Sequence, residues 1–130
     1  FAGEPDVVQP IAMTFDDCGR MWVVECLSYP KWRGDGKGSD RVTILEDTDG
    51  DGKHDKKTVF LENGSNLSGI ALGHGGVWLC SLPNLIFIPV KDGEDTPAGP
   101  AEVVLDGWNL KDTKHNVFNS LNWGPDGWLY

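Results

Sequence analysis

Apolar residues along this chain fall in short runs broken by Gly/Asp-rich turns, and the runs recur. Three segments share one shape: PIAMTFDDCGRMW at 10–22, LSGIALGHGGVW at 67–78 and FNSLNWGPDGWLY at 118–130. Each is an apolar stretch, a turn closing on glycine (Gly19, Gly76, Gly127) and an aromatic-rich strand, with the glycines 57 and 51 residues apart. That spacing is close to the roughly 40–50 residues of a propeller blade. A second comparison fixes the unit. ILEDTDGDGKHDKKTVFLENGSNL (44–67) overlays FIPVKDGEDTPAGPAEVVLDGWNL (87–110) at a constant offset of 43, without a gap. Asp49 and Gly50 meet Asp92 and Gly93, while Gly64, Asn66 and Leu67 meet Gly107, Asn109 and Leu110.

Each unit then reads strand–turn–strand–loop–strand–turn–strand, a four-stranded antiparallel sheet of the kind that makes a propeller blade. The predicted strands span 11–15, 20–26, 41–46 and 57–62, then 69–72, 76–81, 85–90 and 101–105, then 118–123 and 127–130. RMWVVEC is nearly continuous in apolar residues, as in a strand covered on both faces. No stretch carries a helical period. A β-sandwich would also be all-β, but its strands do not recur at a blade-length period. The expected fold is an all-β propeller fragment, with a first blade over about 10–64, a second over about 67–107 and the start of a third over about 117–130. A ring needs at least four blades, and two and a half would leave bare edges and apolar faces. The chain is therefore expected to be a piece of a larger protein, and to aggregate or stay loosely folded alone.

Composition narrows the partners. With 20 acidic against 11 basic residues and a net charge of −9, the chain is not expected to bind nucleic acid or an anionic membrane surface. No window approaches 18 consecutive apolar residues, so no membrane span is expected in this segment. No signal peptide is visible, and the chain opens on Phe1. Three cysteines, Cys18, Cys26 and Cys80, include no CxxC pair, which argues against a zinc site. Cys26 and Cys80 fall on apolar strands, where a buried thiol behaves as a small apolar side chain.

Where the repeat breaks, function is expected. YPKWRGDGKGSD supplies most of the extra residues between the second and third strands of the first unit, and KDTKHNVF (111–118) is inserted ahead of the third. In a propeller both connections belong to one face, around the mouth of the central channel, and function concentrates on such loops. His115 lies in the second insertion. Titratable near neutrality, it is a candidate general base for a substrate hydroxyl, or a surface histidine in a polar loop. Glu25 ends the second strand and is expected near the same mouth.

Asp47, Asp49, Asp51 and Asp55 form DxDGDGxxD, the opening of a Ca²⁺ loop of oxygen ligands, although Thr58 stands where such a loop has its bidentate Glu. The plainer reading is an acidic hairpin turn. If Ca²⁺ binds there, it is structural, because this turn belongs to the face away from the channel mouth. Trp22, Trp78, Trp123 and Trp128 read as packing between blades rather than as a substrate platform.

These residues carry a family resemblance. PIAMTFDDCGRMWVVE, with its proline, apolar run, turn and strand ending in Glu, resembles the first blade of the soluble glucose/sorbosone (aldose) dehydrogenases. HNVFNSLNWGPDGWLY is similar to their later segment, in which a catalytic histidine precedes a strand and a G-P-D-G turn. With GKGSDRVTILEDTDGDGKHDKKTVF between them, the string looks closer still to a bacterial family of membrane-bound dehydrogenases. The resemblance covers nearly all of residues 4–130. It implies a six-bladed propeller that holds pyrroloquinoline quinone (PQQ) over its channel and oxidises a sugar or alcohol, with His115 taking the hydroxyl proton. It also implies a periplasmic, extracellular or envelope-associated protein with a haem c segment elsewhere in the full chain. A non-enzymatic propeller that binds carbohydrate or a protein partner satisfies the same pattern, since fold does not fix function.

Overall fold

β-Branched and aromatic runs bounded by Gly/Asp turns become eight strands in the computed structural model, which describes residues 1–31, 38–91, 93–109 and 118–130. β1 (Pro10–Phe15), β2 (Met21–Glu25), β3 (Asp40–Glu46) and β4 (Lys56–Gly64) form one sheet in that order. β5 (Leu67–Gly73), β6 (Gly76–Ser81), β7 (Asn84–Pro89) and β8 (Glu102–Leu105) form a second in the same order. Every neighbouring pair is antiparallel. The chain is all-β, and its two four-stranded sheets are consistent with two propeller blades.

The sheets repeat in their irregularities as well as their strands. Register slips between Pro10 and Ala12 in β1 and between Leu67 and Gly69 in β5, and again between Val42 and Thr43 in β3 and between Leu85 and Ile86 in β7. The second pair of bulges stands at the same offset of 43 as the sequence overlay. Where a slip of one residue would turn every side chain to the wrong face, a bulge kept at one place in both units marks a common backbone plan.

One equivalence shifts. The turn glycine of the second unit is Gly75, not Gly76: Gly19, Gly75 and Gly127 share φ of 80°, 78° and 81°. Only glycine takes that conformation cheaply. Gly76 instead opens β6, where a Cβ would run into the Ile88 carbonyl and the Phe87 ring. β4 and β5 also run longer than predicted from alternation, because β5 keeps pairing across its bulge and β4 reaches back to meet Asp40.

The core lies between the sheets. Trp22, Val24, Val42, Ile44 and Phe60 from the first meet Leu67, Ile70, Val77, Leu79 and Ile88 from the second. Trp22 packs edge-on against Phe60, with ring centroids 5.0 Å apart. β2 is covered on both faces as its sequence predicts, but the far cover is Val7 of the N-terminal segment, packed on Val23 and Leu45. A polar clasp joins the sheets at their rim. Arg20 binds Asp16 (Nε–Oδ2 2.8 Å) and Asp95 of the second sheet (Nη1–Oδ1 2.5 Å), and Asp16 also accepts the Trp22 indole N–H.

On the other face of the second sheet, Trp78 packs on Phe87 and meets Trp123 edge-on, while Trp123 donates its indole N–H to the Leu72 carbonyl at 2.7 Å. Residues 122–130 close a small hairpin: Asn122 and Tyr130 exchange backbone hydrogen bonds, and Trp123 bridges Leu129. Trp22, Trp78 and Trp123 thus pack between layers, whereas Trp128 stays 72% exposed beside an open apolar groove of about 750 Å³.

Candidate functional site

Antiparallel pairing sorts the connections onto two ends of the sheets. Glu25 pairs with Arg41, Asp40 with Gly64, and Leu67 with Ser81. One end therefore holds the connection after β2 (26–39), the crossover between the sheets, the turn at 82–83 and the connection that leaves β8 after Leu105 and returns at Phe118. The opposite end holds the turns at 16–20, 47–55, 74–75, 90–101 and 124–127. Both insertions belong to the first end. In sequence the two connections carry Lys31, Arg33, Lys37, Lys111 and Lys114, five of the 11 basic residues, and Arg41 follows the first near the start of β3, while the Asp-rich turn at 47–55 lies at the opposite end. His115 lies outside the described residues. The other two histidines occupy turns at the opposite end. His54 has Nδ1 3.1 Å from the Phe1 carbonyl, and His74 packs its ring 4.6 Å from that of Trp123.

Two fully buried carboxylates anchor the insertion end. Glu25 ends β2 at the insertion end and is fully buried there. Its carboxylate turns inward, because Arg41, directly across the ladder, offers a forked guanidinium (Nε–Oε2 2.5 Å, Nη2–Oε1 2.8 Å). The Val8 N–H donates to it at 2.7 Å and Thr43 Oγ1 at 3.3 Å. Burial alone pushes this carboxyl upward, but the Arg41 and Val8 hydrogen bonds outweigh that and hold it below the ordinary value. The same pairing raises Arg41.

Asp40 accepts the Ser28 N–H (2.6 Å), the Ser28 hydroxyl (2.9 Å) and the Leu67 N–H (2.8 Å). It thereby ties the base of the first insertion to the crossover. Beside it, Cys26 is raised by burial and then by the Asp40 charge, which leaves a protonated thiol. Asp40 was not legible as a site from sequence. An Asp opening an apolar strand after a Gly/Ser-rich loop looks like ordinary turn chemistry.

At the opposite end, the carboxylates of Asp47, Asp49 and Asp55 converge, with one oxygen from each lying within 4.8 Å of the others. Asp51 stands outside this group and accepts the Lys53 N–H at 2.8 Å. Gly50, at φ 77°, and Gly52, at φ 86°, turn their N–H groups onto Asp47, and these bonds, that from Gly52 foremost, hold its carboxyl below the ordinary value. Asp55 accepts both the N–H and the hydroxyl of Thr48. A self-capped acidic turn accounts for this geometry. Three converging carboxylate oxygens also suit a hard cation such as Ca²⁺.

The whole chain, residues 1–130, matches a family described as a domain of unknown function, DUF7133, and belongs to it. No curated protein and no solved structure matches the chain.

Proposed function

We propose that this DUF7133 domain contributes blades to a sugar or alcohol dehydrogenase of the quinone-dependent type, with the insertion end of its sheets as the substrate face. The observation that carries the reading is the sorting of connections. Both long insertions leave the same end of consecutive sheets, and the connection bearing His115 is one of them, whereas His54 and His74 sit at the other end. Enrichment of basic residues in those two connections favours a polar, anionic or polyhydroxylated ligand there.

His115 is the general base of this reading. A neutral imidazole accepts the proton of a substrate hydroxyl, which prepares the carbinol carbon for oxidation. The electron acceptor that the resemblance implies is PQQ, an anion with several carboxylates. The described residues do not form a clamp for it: Arg41, the guanidinium at this end among them, is committed to Glu25. Any clamp belongs to other residues. That commitment also favours a second reading, a propeller face that binds carbohydrate without oxidising it. Ca²⁺ at Asp47, Asp49 and Asp55 would stiffen the turn between β3 and β4, away from the substrate face.

The test is reconstitution of the intact protein with PQQ and Ca²⁺, followed by dye-reduction assays on a panel of sugars and alcohols, beside His115→Ala. The dehydrogenase reading expects turnover that His115→Ala removes with substrate binding retained. Absence of turnover, or turnover indifferent to the substitution, sinks it. Sugar binding without turnover would establish the second reading.

A further inference from the structure

The two insertions are far apart in sequence, yet both are fastened to the same short piece of backbone, the crossover at residues 64–69. The first insertion reaches it twice. Asp40, which gathers Ser28 from the start of that connection, accepts the Leu67 N–H at 2.8 Å. Gly38, near the end of the same connection, lies so close to the Gly64 carbonyl that a Cβ there would collide with it. The second insertion reaches it from the other side. Ser68, the next residue after Leu67, donates its hydroxyl to the Phe118 carbonyl at 2.8 Å, and Gly69 leaves no room for a Cβ beside the Asn119 carbonyl. Phe118 in turn stacks on Trp108, ring centroids 4.0 Å apart at 17°, which brings the described residues on the two sides of that connection together beside the crossover.

The crossover itself has little freedom to absorb a shift. Asn66 is fully buried at φ 50°, and exchanges hydrogen bonds with Leu82 through its backbone carbonyl and its side-chain amide, both at 3.3 Å. Ser81 donates to the Ser65 carbonyl at 2.9 Å. Leu67 is fully buried in the core between the sheets, and Ser68 is buried. A segment pinned on its third side and packed below transmits displacement between neighbouring residues rather than relaxing it.

We propose that residues 64–69 form a hub that couples the bases of the two insertions, with Asp40 and Ser68 as its positioning residues, so that a shift at Ser28 or Asp40 is felt at Phe118 and the reverse. The proposal deepens the substrate-face reading given above. Its test does not depend on any chemistry at that face, so the two can fail separately.

The test is amide hydrogen exchange of the intact protein, read peptide by peptide by mass spectrometry. Residues 28–31 report on the base of the first insertion, 118–122 on that of the second, and 47–55, the turn at the opposite end, are the control. Ser68→Ala removes a bond made only to the second insertion. Loss of one buried hydrogen bond is expected to raise exchange at residues 118–122 roughly tenfold, since exchange follows the population of the opened state. Coupling predicts a rise of about threefold or more at residues 28–31 as well, with 47–55 unchanged. Asp40→Asn, made at the first insertion, is expected to show the mirror pattern. Should it not fold, Ser28→Ala, which removes one of its donors, takes its place. The proposal is overturned if each substitution raises exchange only at its own base, or if exchange at 47–55 rises with the rest, which would mark general softening instead of a hub.

Discussion

The Glu25–Arg41 pair gives a prediction whose size can be worked out from geometry. Glu25 is 0% exposed and accepts four donors, two from Arg41, one from Val8 and one from Thr43. Removing one partner of a buried pair costs about 3–5 kcal/mol when the other is left without solvent. Arg41 is 28% exposed, so water recovers part of its charge, and Glu25→Ala belongs at the low end, about 3 kcal/mol. Glu25→Gln keeps the shape and one acceptor oxygen but sets an amide against a guanidinium, for about 1.5–2 kcal/mol. With an m-value of about 2 kcal/mol per molar urea, Glu25→Ala lowers the unfolding midpoint by about 1.5 M.

The pH dependence fixes the cause. The folded carboxyl lies below its ordinary value of 4.5. Its contribution is therefore complete above the unfolded value and is lost as pH falls through the lower folded value. Urea unfolding of wild type, Glu25→Gln, Arg41→Gln and the double variant, followed by Trp fluorescence, measures both. The gap between wild type and Glu25→Gln should be constant from pH 7 down to about 5.5 and narrow below about 4.5. A gap under about 0.5 kcal/mol at pH 7, the value of an ordinary exposed pair, would refute the reasoning. So would a gap that persists undiminished at pH 3, because the loss would then be steric rather than ionic.

Two further outcomes follow from burial. In the native protein only Cys18 should react with iodoacetamide at pH 8, because Cys80 is buried and pushed up to about 12 and Cys26 is also raised; rapid native modification of Cys80 would contradict its packing. Expressed as residues 1–130, the chain should self-associate through its apolar faces, Ile11 and Met13 on the first sheet and Val103 and Leu105 on the second, all exposed; a monomer by sedimentation with one cooperative melt would overturn this.

What could be read from the residues, and what could not, divides along a physical line. Strands and turns are local: Gly19 and Gly127 mark turns because only glycine takes their positive φ cheaply, and the run Met21–Val24 is apolar because both its faces are covered. The offset of 43 survives in the structure as a bulge repeated in β3 and β7, since backbone plan and sequence period are one constraint. The turn glycine of the second unit is Gly75 rather than the neighbouring Gly76 because GHGG ends in two adjacent glycines and only the backbone dihedral tells them apart. The Asp-rich turn was legible as a turn, but the exclusion of Asp51 from the converging carboxylates depends on which N–H each carboxylate captures. Asp40 and Ser68 escaped notice for a different reason. Their partners, Ser28, Leu67 and Phe118, lie 12, 27 and 50 residues away, and a short polar side chain carries no period that announces a distant donor. In a repeat built from turns and alternation, the residues that join one unit to the next are those whose meaning is non-local, and they are the ones that hold the insertion end in place.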